Sequence, residues 1–193
     1  AVALAIIPYP LISVMFERGA FTAADSAATA GALAIYGIGL PAFVLQKVLQ
    51  PLYFAREDTQ TPFRFAIVAM VLNVVLAIGL SYTFGFLAAA IGTTLSSWAM
   101  VILLWRGAGR MGDAVALDAR LTSRAPSIAV ASLCMGGVVY AGQYLLADLL
   151  NTSGIRYLAL FGLIVVGIAS YGIFLKLFGA VSRRDLRGFM RRG

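Results

Sequence analysis

The chain has 193 residues, of which 61% are apolar and 12% charged, and its mean hydropathy is +0.92. A soluble domain covers its surface with about 25% charged residues, so this composition excludes an ordinary soluble fold. The net charge is +7, but the 15 Lys and Arg flank apolar runs and form no aromatic-laced basic patch, which points to a membrane and argues against nucleic acid as a partner.

Residues 1–16 are uncharged and end at Glu17-Arg18, too short for a full span and broken by Pro8 and Pro10. They are expected to be the tail of a partial helix whose earlier part lies before Ala1. The next helix is expected over about 25–55, with Asp25 near its N-cap, Lys47 inside its last turns and Pro41 bending it. Phe65 to Trp105 is uncharged for 41 residues, which is two spans, 62–81 and 85–106, joined by a turn at Ser81-Tyr82-Thr83-Phe84-Gly85. A loop follows over 108–124. Two further uncharged runs, Ala125–Ala147 and Tyr157–Leu175, form a helix pair over 125–176, with Pro126 expected in a first turn and a polar loop between the two runs. The tail, 177–193, carries five arginines among apolar residues and suits a surface of anionic headgroups. The expectation is an all-α polytopic membrane protein with five full transmembrane helices plus one partial.

Orientation follows from the basic residues. With these spans, one side holds twelve of the fifteen, the other only Arg18 and Arg156, and Lys47 lies within a span. The twelve mark the cytoplasmic side and put the C-terminus there, so the loops at 17–25, 81–86 and 148–156 face outward.

Few residues suggest chemistry. Cys134 is the only cysteine and there is no histidine, which rules out an internal disulfide, Cys-based zinc motifs and His-based catalysis. No metal, cofactor or enzymatic nucleophile is expected. Lys47 is the one ionisable group within a span, either snorkelling to the headgroups or facing an anionic substrate. Asn73 and Thr93 lie on the two helices joined by the tight turn, at similar depth. An amide oxygen and a hydroxyl at that spacing can bind each other or share one cation, and the interhelical hydrogen bond is the reading preferred here. In 56–64, Thr61 is the expected N-cap of the following helix with Pro62 in its first turn.

Phe16-Glu17-Arg18-Gly19-Ala20-Phe21-Thr22 with Asp25, and Lys47-Val48-Leu49, Pro51, Tyr53-Phe54-Ala55-Arg56, Asp58-Thr59, Thr61-Pro62, resemble two signatures of the MurJ/MviN lipid II flippase family, in the same order and one span apart. The resemblance implies the C-terminal part of a fourteen-helix, two-lobe exporter of the multidrug, oligosaccharidyl-lipid and polysaccharide superfamily. Residues 1–107 would end the C-terminal lobe, and 125–176 would be an extra pair that forms a groove for a polyprenyl tail. The implied activity is transfer of the lipid-linked peptidoglycan precursor from the cytoplasmic to the outer leaflet of the bacterial inner membrane by alternating access. No covalent chemistry is involved, and a membrane potential or cation gradient is the drive. Lys47 and Arg56 match family positions and are the candidate substrate contacts, and Pro41 is the candidate hinge. The family's cavity arginines fall mainly in helices before Ala1, which would be partners of this segment along with membrane lipids. Some relatives carry an acidic residue where this chain has Ala77, which weakens the case for a sodium-coupled drive. The rival expectations are another exporter of the superfamily, for a polyprenyl-linked oligosaccharide or a drug, and a non-transporting membrane scaffold.

Overall fold

The computed structural model describes residues 1–109, 119–152 and 154–179, and the regular structure among them is helical. Chain order is α1 (Val2–Ile6), α2 (Pro8–Phe16), α3 (Ala23–Phe54), α4 (Gln60–Phe84), α5 (Leu87–Gly109), α6 (Ala119–Leu145), α7 (Ala147–Asn151) and α8 (Arg156–Leu177). Five of these, α3, α4, α5, α6 and α8, are long and apolar enough to cross a membrane. The loop expected over 108–124 lies partly outside the described residues, and the basic tail lies outside them from residue 180 onward.

Local chemistry explains the helix ends. Pro8 cannot continue the hydrogen-bond ladder of α1, and it disfavours helical geometry at the residue before it; the chain breaks at Ile7 (φ −117°, ψ 43°) and restarts as α2. Thr22 is the N-cap of α3, three residues before Asp25, which lies near it as expected. Its hydroxyl accepts from the Asp25 N–H while the Asp25 carboxylate accepts from the Thr22 N–H at 2.9 Å, a reciprocal capping box. The start of α4 differs from expectation. Thr61 does not cap it; the Asp58 carboxylate accepts from the Thr61 N–H at 3.0 Å. The α4–α5 turn falls at Gly85, whose φ of +56° disfavours a side chain. Pro126 is not in a first turn but well inside α6, where a proline costs the helix one backbone bond.

The helices pack in two groups. In the first, α5 lies between α3 and α4, while α3 and α4 barely touch each other. The α4–α5 pair is antiparallel and close. A Cβ added at Gly92 would sit 2.9 Å from Asn73 Oδ1, 3.1 Å from the Asn73 carbonyl and 3.2 Å from the Ala77 backbone nitrogen. Ala88, Gly92 and Ser96 form the small-residue stripe that permits this approach, all three buried. In the second group α6 pairs with α8, with Val139 and Leu163 buried between them.

The wedge between the groups is α1–α2. Gly37 of α3 seats the α1 backbone, since a Cβ there would meet Ala5 N at 3.1 Å and Ala1 O at 3.2 Å. On the far side Gly136 of α6 seats Val2 and Ile6, one turn apart on the same short helix. At the other end of the wedge, Val14 of α2 packs with Leu150, Ala159 and Leu160.

Two outcomes follow. Gly92→Ala should force α4 and α5 apart and lower stability by about 1–3 kcal/mol, as overpacking does, whereas Gly79→Ala, with nothing within 4 Å of the new methyl, should be neutral or slightly stabilising. Thermal unfolding in detergent compares the pair. At Asp58, the hydrogen bonds with Thr61, aided by Arg64, hold the carboxyl pKa below its ordinary value. A depressed carboxylate contributes stability at neutral pH that is lost as pH falls through the folded value, so Asp58→Ala should speed amide exchange at the start of α4 at neutral pH. The two proteins should converge below about pH 4.

Candidate functional site

The site is built on the contact between α3 and α5, which run parallel. Four side chains cross it to backbone carbonyls. Thr94 donates to Ile35 O at 3.0 Å, Trp98 Nε1 to Ile38 O at 3.2 Å, Gln46 Nε2 to Ser97 O at 3.0 Å, and the fully buried Tyr53 hydroxyl to Leu104 O at 2.6 Å. Gly39 lets Thr94 come close enough, with its Oγ1 3.0 Å from where a Cβ would be. Tyr53 is further held by Phe65 of α4, edge to face at 6.4 Å between ring centroids.

Two prolines of α3 leave carbonyls without their usual donor. Pro41 cannot donate to Gly37 O, nor Pro51 to Lys47 O, because neither has an N–H. The Thr94 and Trp98 bonds go to Ile35 O and Ile38 O, on either side of the Gly37 carbonyl that Pro41 leaves free, so α5 braces α3 across that gap. Pro41 thus lies inside a continuous α3, beside its most heavily cross-linked stretch.

Between α3, α4 and α5 lies a cavity of about 330 Å³. Gln46 and Gln50 come from α3, Asn73 from α4, and Thr93, Ser96 and Ser97 from α5, with Phe43, Met70 and Met100 among the apolar walls. Six neutral polar side chains meeting where three apolar helices pack is an unusual concentration, because polar groups at that depth are expensive. Ser96 and Ser97 offset the cost by donating to Thr93 O at 3.0 and 2.7 Å. A second cavity, of about 460 Å³, lies between α1–α2 and α6–α7, lined by Tyr9, Ser13, Gln143 and Tyr144 among others.

Asn73 and Thr93 both face the first cavity, at the common depth expected from their spacing about the turn. The hydrogen bond expected between them is not made. Thr93 instead donates to Ala89 O of its own helix at 2.8 Å, and Asn73 makes no side-chain hydrogen bond among the described residues. The physical reason is Gly92: it brings the Asn73 backbone so near α5 that the amide lies over the glycine rather than beside the threonine. Lys47 is exposed on α3, one turn from Phe43 and from Gln50, both of which line the cavity; it belongs to the same stripe without entering the wall. Arg56 is exposed just past the end of α3, away from the cavity, so the two candidate basic residues do not converge. Ser96 is legible in the sequence only as part of the small-residue stripe with Ala88 and Gly92, and nothing in the sequence singles out Gln46, Gln50 or Ser97, neutral residues in apolar runs.

The comparisons with known proteins agree on one family. The model described as "Lipid II flippase MurJ" matches residues 1–178. The chain belongs to the lipid II flippase MurJ family. A probable lipid II flippase MurJ of Vibrio cholerae is 38% identical over 191 residues, covering 95% of this chain and 35% of the relative. One from Rhizobium meliloti is 35% identical over 202 residues, covering all of this chain and 36% of the relative. A solved lipid II flippase MurJ in an inward closed conformation superposes with a TM-score of 0.70 at 27% identity, over 96% of this chain and 35% of that one. The chain thus spans about a third of the length of the MurJ relatives it matches. Membership in the MurJ family together with the five apolar helices makes it a multi-pass protein of the bacterial inner membrane.

Because the Asn73 amide gives up no hydrogen bond when replaced, Asn73→Leu should leave the thermal stability of the detergent-solubilised protein unchanged or raise it. A clasp of the kind common between membrane helices would cost about 0.6 kcal/mol on removal. Unfolding curves for the two proteins check this, and a clear fall for Asn73→Leu would restore the clasp.

Proposed function

We propose that this segment is the C-terminal part of a fourteen-helix lipid II flippase, which carries the lipid-linked peptidoglycan precursor from the cytoplasmic to the outer leaflet by alternating access. The observation that carries the reading is the polar cavity among α3, α4 and α5, set in a chain whose family model is that of a lipid II flippase. Such a carrier makes and breaks no covalent bond. It needs two packings close in energy and a path along which a charged headgroup sheds little hydration. Neutral amides and hydroxyls suit that path, since they replace water hydrogen bonds without holding an anion fast.

In this reading the C-terminus is cytoplasmic, as the side holding twelve of the fifteen basic residues. Lys47 then stands toward the cytoplasmic end of α3, at the rim of the cavity stripe, where it meets the diphosphate as it enters. Arg56 lies on the cytoplasmic surface beyond it. Pro41 is the hinge, and the drive is a membrane potential or cation gradient.

The test uses the full-length protein that contains this segment. Lys47→Ala should cut delivery of lipid II to the outer leaflet about tenfold, the worth of one lost charge-assisted contact, while Lys47→Arg retains most of it. Outer-leaflet lipid II, measured in cells depleted of their own flippase, reports the result. Unchanged delivery by Lys47→Ala removes Lys47 from the path, and failure of the wild-type protein to deliver lipid II at all removes the proposed function.

A further inference from the structure

The two basic residues that break the charge asymmetry of the chain, Arg18 and Arg156, are 138 positions apart in sequence, and the fold brings them to the same place. Arg18 follows the C-terminus of α2, and Arg156 opens α8. The cluster of Val14, Leu150, Ala159 and Leu160 pins these two helix ends together. Tyr157 lies between the arginines. Arg156 Nη2 donates to the Tyr157 hydroxyl at 3.3 Å and its guanidinium carbon stands 5.1 Å from the ring centroid, while Arg18 is near enough to act electrostatically on the same hydroxyl. Tyr157 remains 47% exposed, so the pair is open to what lies outside the bundle.

Three features make this more than two surface charges. The guanidinium groups stand together without a carboxylate partner: among the described residues neither forms an ion pair, although Glu17 adjoins Arg18 in sequence and Asp148 is exposed on α7. Glu17 accepts from the buried Ser26 hydroxyl at 2.9 Å, and Asp25 caps α3. Next, α8 begins here with no side-chain cap on its N-terminus; the Arg156 N–H donates to Thr152 O at 3.2 Å, and the positive end of the helix dipole adds to the charge of the arginines. Finally, the place is the end of a span, where a membrane presents its phosphates; an aromatic ring at that level is the usual interfacial anchor. Like charges held together there are stabilised by an anion between them, and a guanidinium pair fits the oxygens of a phosphate.

We propose that Arg18, Arg156 and the N-terminus of α8 form a binding site for the phosphate of a membrane lipid at the headgroup level. The ligand chemistry is a phosphodiester or diphosphate on a hydrocarbon-bearing molecule. It has two sources, an anionic phospholipid of the bulk membrane and a polyprenyl diphosphate, both of which present it at that height. The site rests on the chain spanning the membrane and not on its transporting anything, so it stands or falls apart from the proposed function.

The full-length protein in nanodiscs tests it, with lipids retained on release into the gas phase counted by native mass spectrometry. Wild-type protein in mixtures of phosphatidylcholine with phosphatidylglycerol, or with undecaprenyl diphosphate, should retain the anionic lipid in preference to phosphatidylcholine. Arg18→Gln and Arg156→Gln should each weaken that preference about fivefold and together about thirtyfold, while Arg18→Lys with Arg156→Lys keeps most of it. Preference for phosphatidylglycerol alone assigns the site to bulk lipid, and preference for undecaprenyl diphosphate over phosphatidylglycerol assigns it to the prenyl-linked ligand. No anionic preference in the wild type, or the same preference in the double Gln variant with its unfolding temperature unchanged, overturns the site. If the double Gln variant does not fold, the wild-type preference and each single variant decide.

Discussion

The side-chain-to-carbonyl bonds between α3 and α5 are the constraint on which the rest of this structure depends. In hydrocarbon, apolar surfaces gain nothing by meeting each other, so helices associate through close packing and hydrogen bonds. Here Thr94, Trp98, Gln46 and Tyr53 each reach across to a backbone carbonyl. Carbonyls in a helix are fixed in space by the ladder, so these bonds set rotation, height and separation at once. A pair of polar side chains, free to choose rotamers, would fix less. With α3 and α5 locked, the tight turn at Gly85 folds α4 back against the open side of α5, and the cavity is the space left among the three.

That arrangement also accounts for two prolines in one 32-residue helix. A proline inside a membrane helix exposes a carbonyl that hydrocarbon cannot satisfy. The cross-links to Ile35 and Ile38 hold α3 on either side of the carbonyl that Pro41 leaves free, and the amides of Gln46 and Gln50 make the stretch before Pro51 polar. The helix is therefore weak in its own ladder where its neighbour is strongest. An element of that kind is free to bend where its neighbour releases it, which is what the hinge proposed at Pro41 requires.

The sequence reveals some of this and conceals the rest for definite reasons. Helix number and order are legible because hydrocarbon demands long uncharged runs, and the Gly85 turn because one run of 41 residues has to fold back. Helix starts are harder. Thr22 and Asp25 form a capping pair that spacing alone announces, yet attention falls on the charged member; at α4 the acceptor is Asp58, one residue earlier than the N-cap, because a carboxylate reaches further than a hydroxyl. Pro126 looks like a first-turn residue only if the helix is assumed to begin with the apolar run, and α6 begins before it. The depth shared by Asn73 and Thr93 follows from counting residues about the turn. Their hydrogen-bonding does not, since a glycine opposite decides how near the backbones come. Bonds from side chain to backbone leave no complementary residue to notice, so the α3–α5 cross-links and the cavity's Gln46, Gln50 and Ser97 have no signature in the sequence.

The placement of charge then becomes intelligible as a whole. The described part of the cavity holds amides and hydroxyls and no ionised group, while Lys47 stands at its rim toward one end of the bundle and Arg18 with Arg156 at the other. A charge in the low-dielectric middle attracts a diphosphate many times more strongly than one at a wet surface, so in the proposed path this segment lines the way with neutral groups and leaves strong attraction to cations elsewhere. A path for an anion has to bind it and still let it go, the same balance that lets ions leave a selectivity filter. Neutral donors and acceptors do that: they replace water along the way and release the anion at little cost. On this argument the small count of basic residues within the described spans suits a segment that lines the proposed path without holding the anion fast.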